Sequence, residues 1–201
     1  MKKPLLQLNK RILILCEDSK SSLKYFESFK KDEKFKRLLA SVDIEVIHPK
    51  NHDPLGLVNK AKELKNKEKK SLNPYDEIWI VLDRDGHQNL AQAFDKCNAN
   101  KMEFCISVVC FEYWILLHFE KTSKPFSNCS EIIKYIKENH HFEYDKADIK
   151  FDLLKEKIHN AIENSKWLES ESEKNSFGKK VYELNPITRI HKLVEKIIKQ
   201  E

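Results

Sequence analysis

Short apolar runs punctuate the first half of the chain. Arg11-Ile-Leu-Ile-Leu-Cys16 runs straight into Glu17, and Glu77-Ile-Trp-Ile-Val-Leu82 into Asp83 and Asp85. Asp43 to His48 lies between them, and Phe104 to Val109 leads towards Glu112. The two runs followed directly by acids are short and rich in Ile, Val, Leu and Trp, and each reads as a buried parallel strand ending at the carboxyl edge of a sheet. The intervening stretches Ser19 to Leu39 and Pro54 to Lys70 have helical patterning, so the order is βαβαβ. Crossovers between parallel strands are right-handed. A chain that reverses after its second strand then has the spatial order 2-1-3-4, and strands one and three become neighbours roughly 4.8 Å apart. Glu17 and Asp83 are therefore expected to face each other at the carboxyl edge, the crevice where open α/β sheets bind ligands. Asp85 joins them if the backbone stays extended, with Gly86 available for a turn just beyond.

After Lys121 the pattern changes to helices alone. Ile132, Ile133, Tyr135 and Ile136, then Leu153, Leu154, Ile158 and Ile162, then Leu193, Val194, Ile197 and Ile198 recur at helical spacing. Ser127 and Ser130 are N-cap candidates for the first set. The polar stretch from Asn164 to Lys180 reads as a loop, and Pro186, Thr188 and Arg189 as the opening of the last helix. Tyr113 to Phe119 is nearly all apolar and reads as a buried helix. The expectation is an α/β core over residues 1–120, with a sheet of about four strands flanked by helices. A helical extension over residues 121–201 packs on that core as one compact unit.

Composition narrows the class. The chain has 201 residues, 40% hydrophobic and 34% charged, with no run long enough to cross a bilayer, so a soluble protein with no membrane partner is expected. Met1-Lys-Lys is basic, but the apolar segment after it is interrupted by Gln, Asn, Lys and Arg, unlike a signal peptide, so a cytoplasmic location is expected. A formal charge of +5 is compatible with nucleic acid without demanding it. The basic clusters Lys60 to Lys70 and Lys30 to Arg37 could contact phosphates, but they are diluted by acids and read more readily as solvated faces. The five cysteines show no paired C-x-x-C spacing, which argues against zinc. Free buried thiols are expected, above all Cys16, Cys105 and Cys110.

Three carboxylates crowded at one sheet edge raise each other's pKa unless a cation sits between them. Mg²⁺ or Mn²⁺ suits such hard oxygen ligands, and such a site does phosphodiester chemistry. The alternative is that these acids are helix caps and turn residues. Glu112 is either a further ligand, or a carboxylate orienting a water, or a first-turn acid placed against a helix dipole. His87 is a candidate proton carrier or a turn residue. Lys20 and Lys24 are candidate phosphate contacts or solvated lysines. Arg189 either returns to the crevice to hold a phosphate or marks a helix boundary. His118 and Glu120 read as core or helix-end residues rather than catalysts, and His52, His140 and His141 as surface residues.

Glu17 after one strand and Asp83-Arg84-Asp85 after a later one resemble the Toprim catalytic signature. Four blocks are similar, in order, to the narrower RloB-like family: Ile14-Leu-Cys-Glu17, Val81-Leu-Asp-Arg-Asp-Gly-His87, Cys110-Phe-Glu-Tyr-Trp-Ile-Leu-Leu-His-Phe-Glu120 and Asn185-Pro-Ile-Thr-Arg-Ile-His191. The resemblance implies a Toprim-like, Rossmann-like fold and a metal-dependent nuclease acting in anti-phage defence or abortive infection. It further implies Glu17 as the catalytic glutamate, Asp83 and Asp85 as the metal-binding pair, and Glu112 as the acid of the third block. The implied partners are nucleic acid, whether DNA or RNA with tRNA included, and an ATPase of the AAA or ABC type. Asp18 stands where Toprim proteins usually place glycine, Gly86 where the RloB-like pattern often has an acid, and Val108-Val109 where it has a polar pair. These departures favour the alternative of a non-catalytic regulatory or sensing partner of a defence ATPase or restriction system. No Gly-rich loop follows the first strand, which argues against a nucleotide-binding module.

Overall fold

Strands β1 (Lys10–Cys16), β2 (Val42–Ile47), β3 (Glu77–Asp83) and β4 (Glu103–Val108) lie parallel, and the two-residue β5 (Ile187–Thr188) closes the sheet antiparallel in the order β2-β1-β3-β4-β5. These elements belong to a computed structural model that describes residues 8–84 and 86–199. The expected 2-1-3-4 order is present in a mixed α/β, Rossmann-like architecture. Register places Cys16 beside Val81 and Asp83 beside Ser107, so the carboxyl ends of β1, β3 and β4 finish at one edge.

Alternation along the strands divides the core in two. Ile12, Ile14, Cys16, Trp79, Val81 and Cys105 pack on one face with α1 (Ser21–Lys31), α5 (Glu112–Leu116), α6 (Cys129–His140), α8 (Ile158–Lys174) and α9 (Ile190–Ile198). Leu13, Leu15, Ile80, Leu82, Phe104 and Ile106 pack on the other with α3 (Pro54–Glu68) and α4 (Leu90–Ala99). Because side chains alternate between faces, Asp83 falls on the same side as Trp79 and Val81. That is the face covered by α1 and α5. Extension residues such as Leu168, Leu193 and Ile197 share the cluster of Ile12 and Ile14.

Several expected elements change. The stretch Ser19 to Leu39 is two helices, because Asp32 adopts an extended conformation, accepts from the backbone N–H groups of Lys34 and Phe35, and starts α2 (Glu33–Leu38). The first helix of the extension is capped by Asn128, whose side chain accepts from Glu131 N, not by Ser127 or Ser130. The expected face from Leu153 to Ile162 divides between α7 (Phe151–Lys155) and α8, leaving Leu153 59% exposed. Asn164 to Lys174 continues α8 instead of forming a loop. Its buried stripe, Ala161, Ser165, Leu168 and Glu169, includes two polar residues whose partners come from elsewhere in the chain, so apolar periodicity alone missed it. Thr188 belongs to β5, correcting the expectation of helices alone after Lys121.

Among the described residues no helix is long and apolar enough to cross a membrane.

Candidate functional site

Glu17 follows β1 by one residue, and its backbone N–H donates to Val81 O at 3.0 Å, continuing the β1–β3 ladder. Its side chain crosses to the end of β3, where Oε2 accepts from the backbone N–H of Asp83 at 2.9 Å. Oε1 pairs with His87 Nε2. Glu17 and His87 keep only 14% and 26% side-chain exposure, so the pair is largely withdrawn from solvent. Gly86, at φ 70°, takes the left-handed conformation that glycine adopts without cost, and His87 N donates back to Arg84 O across the turn. Asp85 lies outside the described residues.

Asp83 retains partial exposure. Enclosure of its carboxyl, then the charges of Glu112, Glu17 and Asp18, push its pKa well above the ordinary carboxylate value. Lys146 opposes them. Glu112, fully buried, supplies the foremost of those charges and is itself strongly held. Its Oε1 accepts from Ser21 Oγ at 2.6 Å and Tyr144 Oη at 3.1 Å and faces Lys146 Nζ at 3.3 Å, while Oε2 lies 2.8 Å from Cys129 Sγ. Ser21, Tyr144 and Lys146 thus converge on one oxygen of this buried carboxylate. The edge therefore carries more negative than positive charge around Asp83, and its oxygen donors suit a hard divalent cation.

One group of three donors comes close enough to hold a metal ion among the described residues: Cys110, Glu112 and Cys129, with ligand atoms within 4.8 Å of one another. Cys110 and Cys129 are joined as a disulfide. This corrects the expectation of a free thiol at Cys110, whereas Cys16 and Cys105 are free and buried as expected. The pairing of Cys110 with Cys129 depends on the folded path that brings the start of α6 beside the segment leading into α5.

Asp18 caps the helix after Glu17, accepting from Lys20 N at 3.0 Å and Ser22 N at 2.9 Å. Lys20 is exposed at the start of α1, while Lys24 Nζ donates to Ala147 O at 2.5 Å. Arg189 sits before α9, and its guanidinium pairs with Glu169 at 2.7 Å and Glu173 at 3.5 Å on α8. The helix-boundary alternative describes its position. His118 is buried; Nδ1 donates to Trp114 O and Nε2 accepts from Tyr25 Oη, and burial pushes its pKa down to about 4. Sequence reasoning missed Ser21, Tyr144 and Lys146, because serines, tyrosines and lysines in polar stretches carry no local signal of convergence. His48 was also missed. It follows β2 and bonds through Nδ1 to Cys16 O at 3.1 Å, and its position one residue beyond a strand was a usable signal.

A family model described as RloB-like protein matches residues 12–197. Neither the curated proteins nor the solved structures contain a match.

Proposed function

The chain belongs to the RloB-like family, and from that membership and the sheet-edge geometry we propose that it is a Mg²⁺- or Mn²⁺-dependent phosphodiesterase acting on nucleic acid, a Toprim-type nuclease of anti-phage defence. The observation that carries this reading is the meeting of Glu17 and Asp83 across β1 and β3, in a setting where Asp83 is crowded by three other acids. Glu17, Asp83 and Asp85 would hold the ion. When bound, the ion supplies Lewis acidity towards a phosphoryl oxygen.

The chain's own residues do the remaining work. Glu17 fixes the His87 ring through Nε2, orienting an imidazole that can move a proton. Glu112 acts one step back, accepting from Ser21 and Tyr144 and pairing with Lys146, whose charge acts on Asp83. Lys20, exposed at the start of α1, is available to a substrate phosphate. Cleavage of plasmid, single-stranded DNA and tRNA with Mn²⁺ tests the reading. Wild type cuts at least one of them, and Asp83→Ala cuts none.

A non-catalytic partner of a defence ATPase or restriction system is the second reading. It is favoured by the full engagement of Glu17, whose two oxygens already serve Asp83 N and His87. Failure of wild type to cut any of the three substrates, with the candidate ATPase present, selects it.

A further inference from the structure

We propose that Cys110 and Cys129 form a reversible thiol–disulfide couple, a modification site whose state sets how Glu112 is held beside Asp83. The coupling to the edge rests on the proposed metal site; the couple itself does not.

The two cysteines stand apart from the others. They are 19 residues apart in sequence, one just ahead of α5 and one opening α6, so their bond closes the whole α5–α6 connection. Cys16, Cys97 and Cys105 are buried, and burial raises the pKa of each thiol, to about 12 for Cys97. Such thiols are unreactive. Cys110 is 4% exposed, but Cys129 is partly open, so an incoming thiolate meets Cys129 Sγ. Attack there by a dithiol forms a mixed disulfide with Cys129 and breaks the Cys110–Cys129 bond. The bonding electron pair leaves with Cys110 Sγ, which takes a proton. The second thiol of the reductant then displaces Cys129 Sγ, which is protonated in turn. Two protein thiols and one reductant disulfide result, and a small-molecule disulfide reverses the sequence.

The consequence reaches the edge through one contact. Cys129 Sγ lies 2.8 Å from Glu112 Oε2. A thiol at that position donates a hydrogen bond to the carboxylate, and a disulfide sulfur has no proton to donate. Ser21, Tyr144 and Lys146 all serve Oε1, so reduction adds a donor on the opposite oxygen and frees the start of α6 from α5. Glu112 heads the charges acting on Asp83, so the couple can modulate cation affinity there.

The test equilibrates the full chain over a series of reduced-to-oxidised dithiothreitol ratios, alkylates it, and reads each cysteine by mass spectrometry. A single two-electron transition confined to Cys110 and Cys129 is expected, with Mn²⁺ affinity measured by calorimetry differing at least about threefold between the end states, roughly 0.65 kcal/mol. Cys129→Ser, whose hydroxyl still donates to Glu112, should bind Mn²⁺ like the reduced protein at every ratio, and Cys129→Ala more weakly or more strongly in the direction of the oxidised form. A pair that stays oxidised in excess reductant, or reduced in excess oxidant, overturns the couple. Equal Mn²⁺ affinity in both states overturns the link to the edge. Absence of Mn²⁺ binding in either state overturns the metal reading and the link with it, while the alkylation pattern still decides the couple by itself.

Discussion

Asp83 at the sheet edge and Glu169 in α8 are both enclosed carboxylates, yet their surroundings drive them in opposite directions. Burial raises both. Around Asp83 three more acids add to that rise, with Lys146 the opposing cation, and the carboxyl ends well above its ordinary value. Around Glu169, hydrogen bonds from His191 and Lys192 and the charges of Arg189 and Lys192 outweigh burial, and the pKa falls to about 2. Ser165 completes that cluster: its hydroxyl donates to Thr188 O and accepts from His191 Nδ1, so one polar knot ties α8 to β5 and α9. Compensated acid makes a structural tie. An undercompensated acid at a sheet edge favours neutralisation by a proton or, on the proposed reading, by a cation.

The sharpest way to break this contrast is by activity. Asp83→Ala is expected to lower Mn²⁺-dependent cleavage on the order of 10³-fold, whereas Glu169→Gln leaves the rate per folded molecule unchanged. A comparable loss of rate in both variants would erase the distinction. Stability should separate them the other way: Glu169→Gln leaves Arg189 and Lys192 without their shared anion and should cost about 2 kcal/mol, read as a lower urea midpoint at constant m.

The pH dependence of the two variants should carry opposite signs. Glu169 has a folded pKa of about 2 against an ordinary 4.5, so its contribution is present above 4.5 and is lost as pH falls towards 2. The deficit of Glu169→Gln relative to wild type therefore shrinks on acidification. Asp83 has a folded pKa above its ordinary 3.8, so the native state binds the extra proton and wild-type stability declines as pH rises from 3.8 towards the folded value. Asp83→Asn removes that decline, and in the absence of metal it should gain on wild type with rising pH. Parallel pH curves for the two variants would show that their environments do not differ in sign. The smallest effect is expected at Lys146, 39% exposed: Lys146→Ala should cost less than about 1 kcal/mol, because a half-exposed ammonium is screened by water. A larger loss would mean that Lys146 belongs to a tie as tight as that of Glu169.

The resemblance of the Cys110-Phe-Glu block placed Glu112 among the site acids before any contact was visible, but not its burial or its four polar neighbours. Asp18 bonds the first turn of its own helix, whereas Glu17 reaches the backbone N–H of Asp83, although the two are adjacent. Spacing could not separate them, since one side chain turns back to its own helix and the other crosses to the next strand.

By itself the sequence determined the buried parallel strands and, once the chain reverses after its second strand, the 2-1-3-4 order that sets Glu17 beside Asp83, because apolar runs and crossover handedness are local rules that act in the same way in any chain. Tertiary structure alone decided the pairing of β5 with β4, the Cys110–Cys129 bond, the helical course of α8 through polar residues, and the approach of Tyr144 and Lys146 to Glu112. Each of these depends on residues distant in the chain satisfying one another's hydrogen bonds and charges, an energetic match that leaves no periodic trace along the sequence.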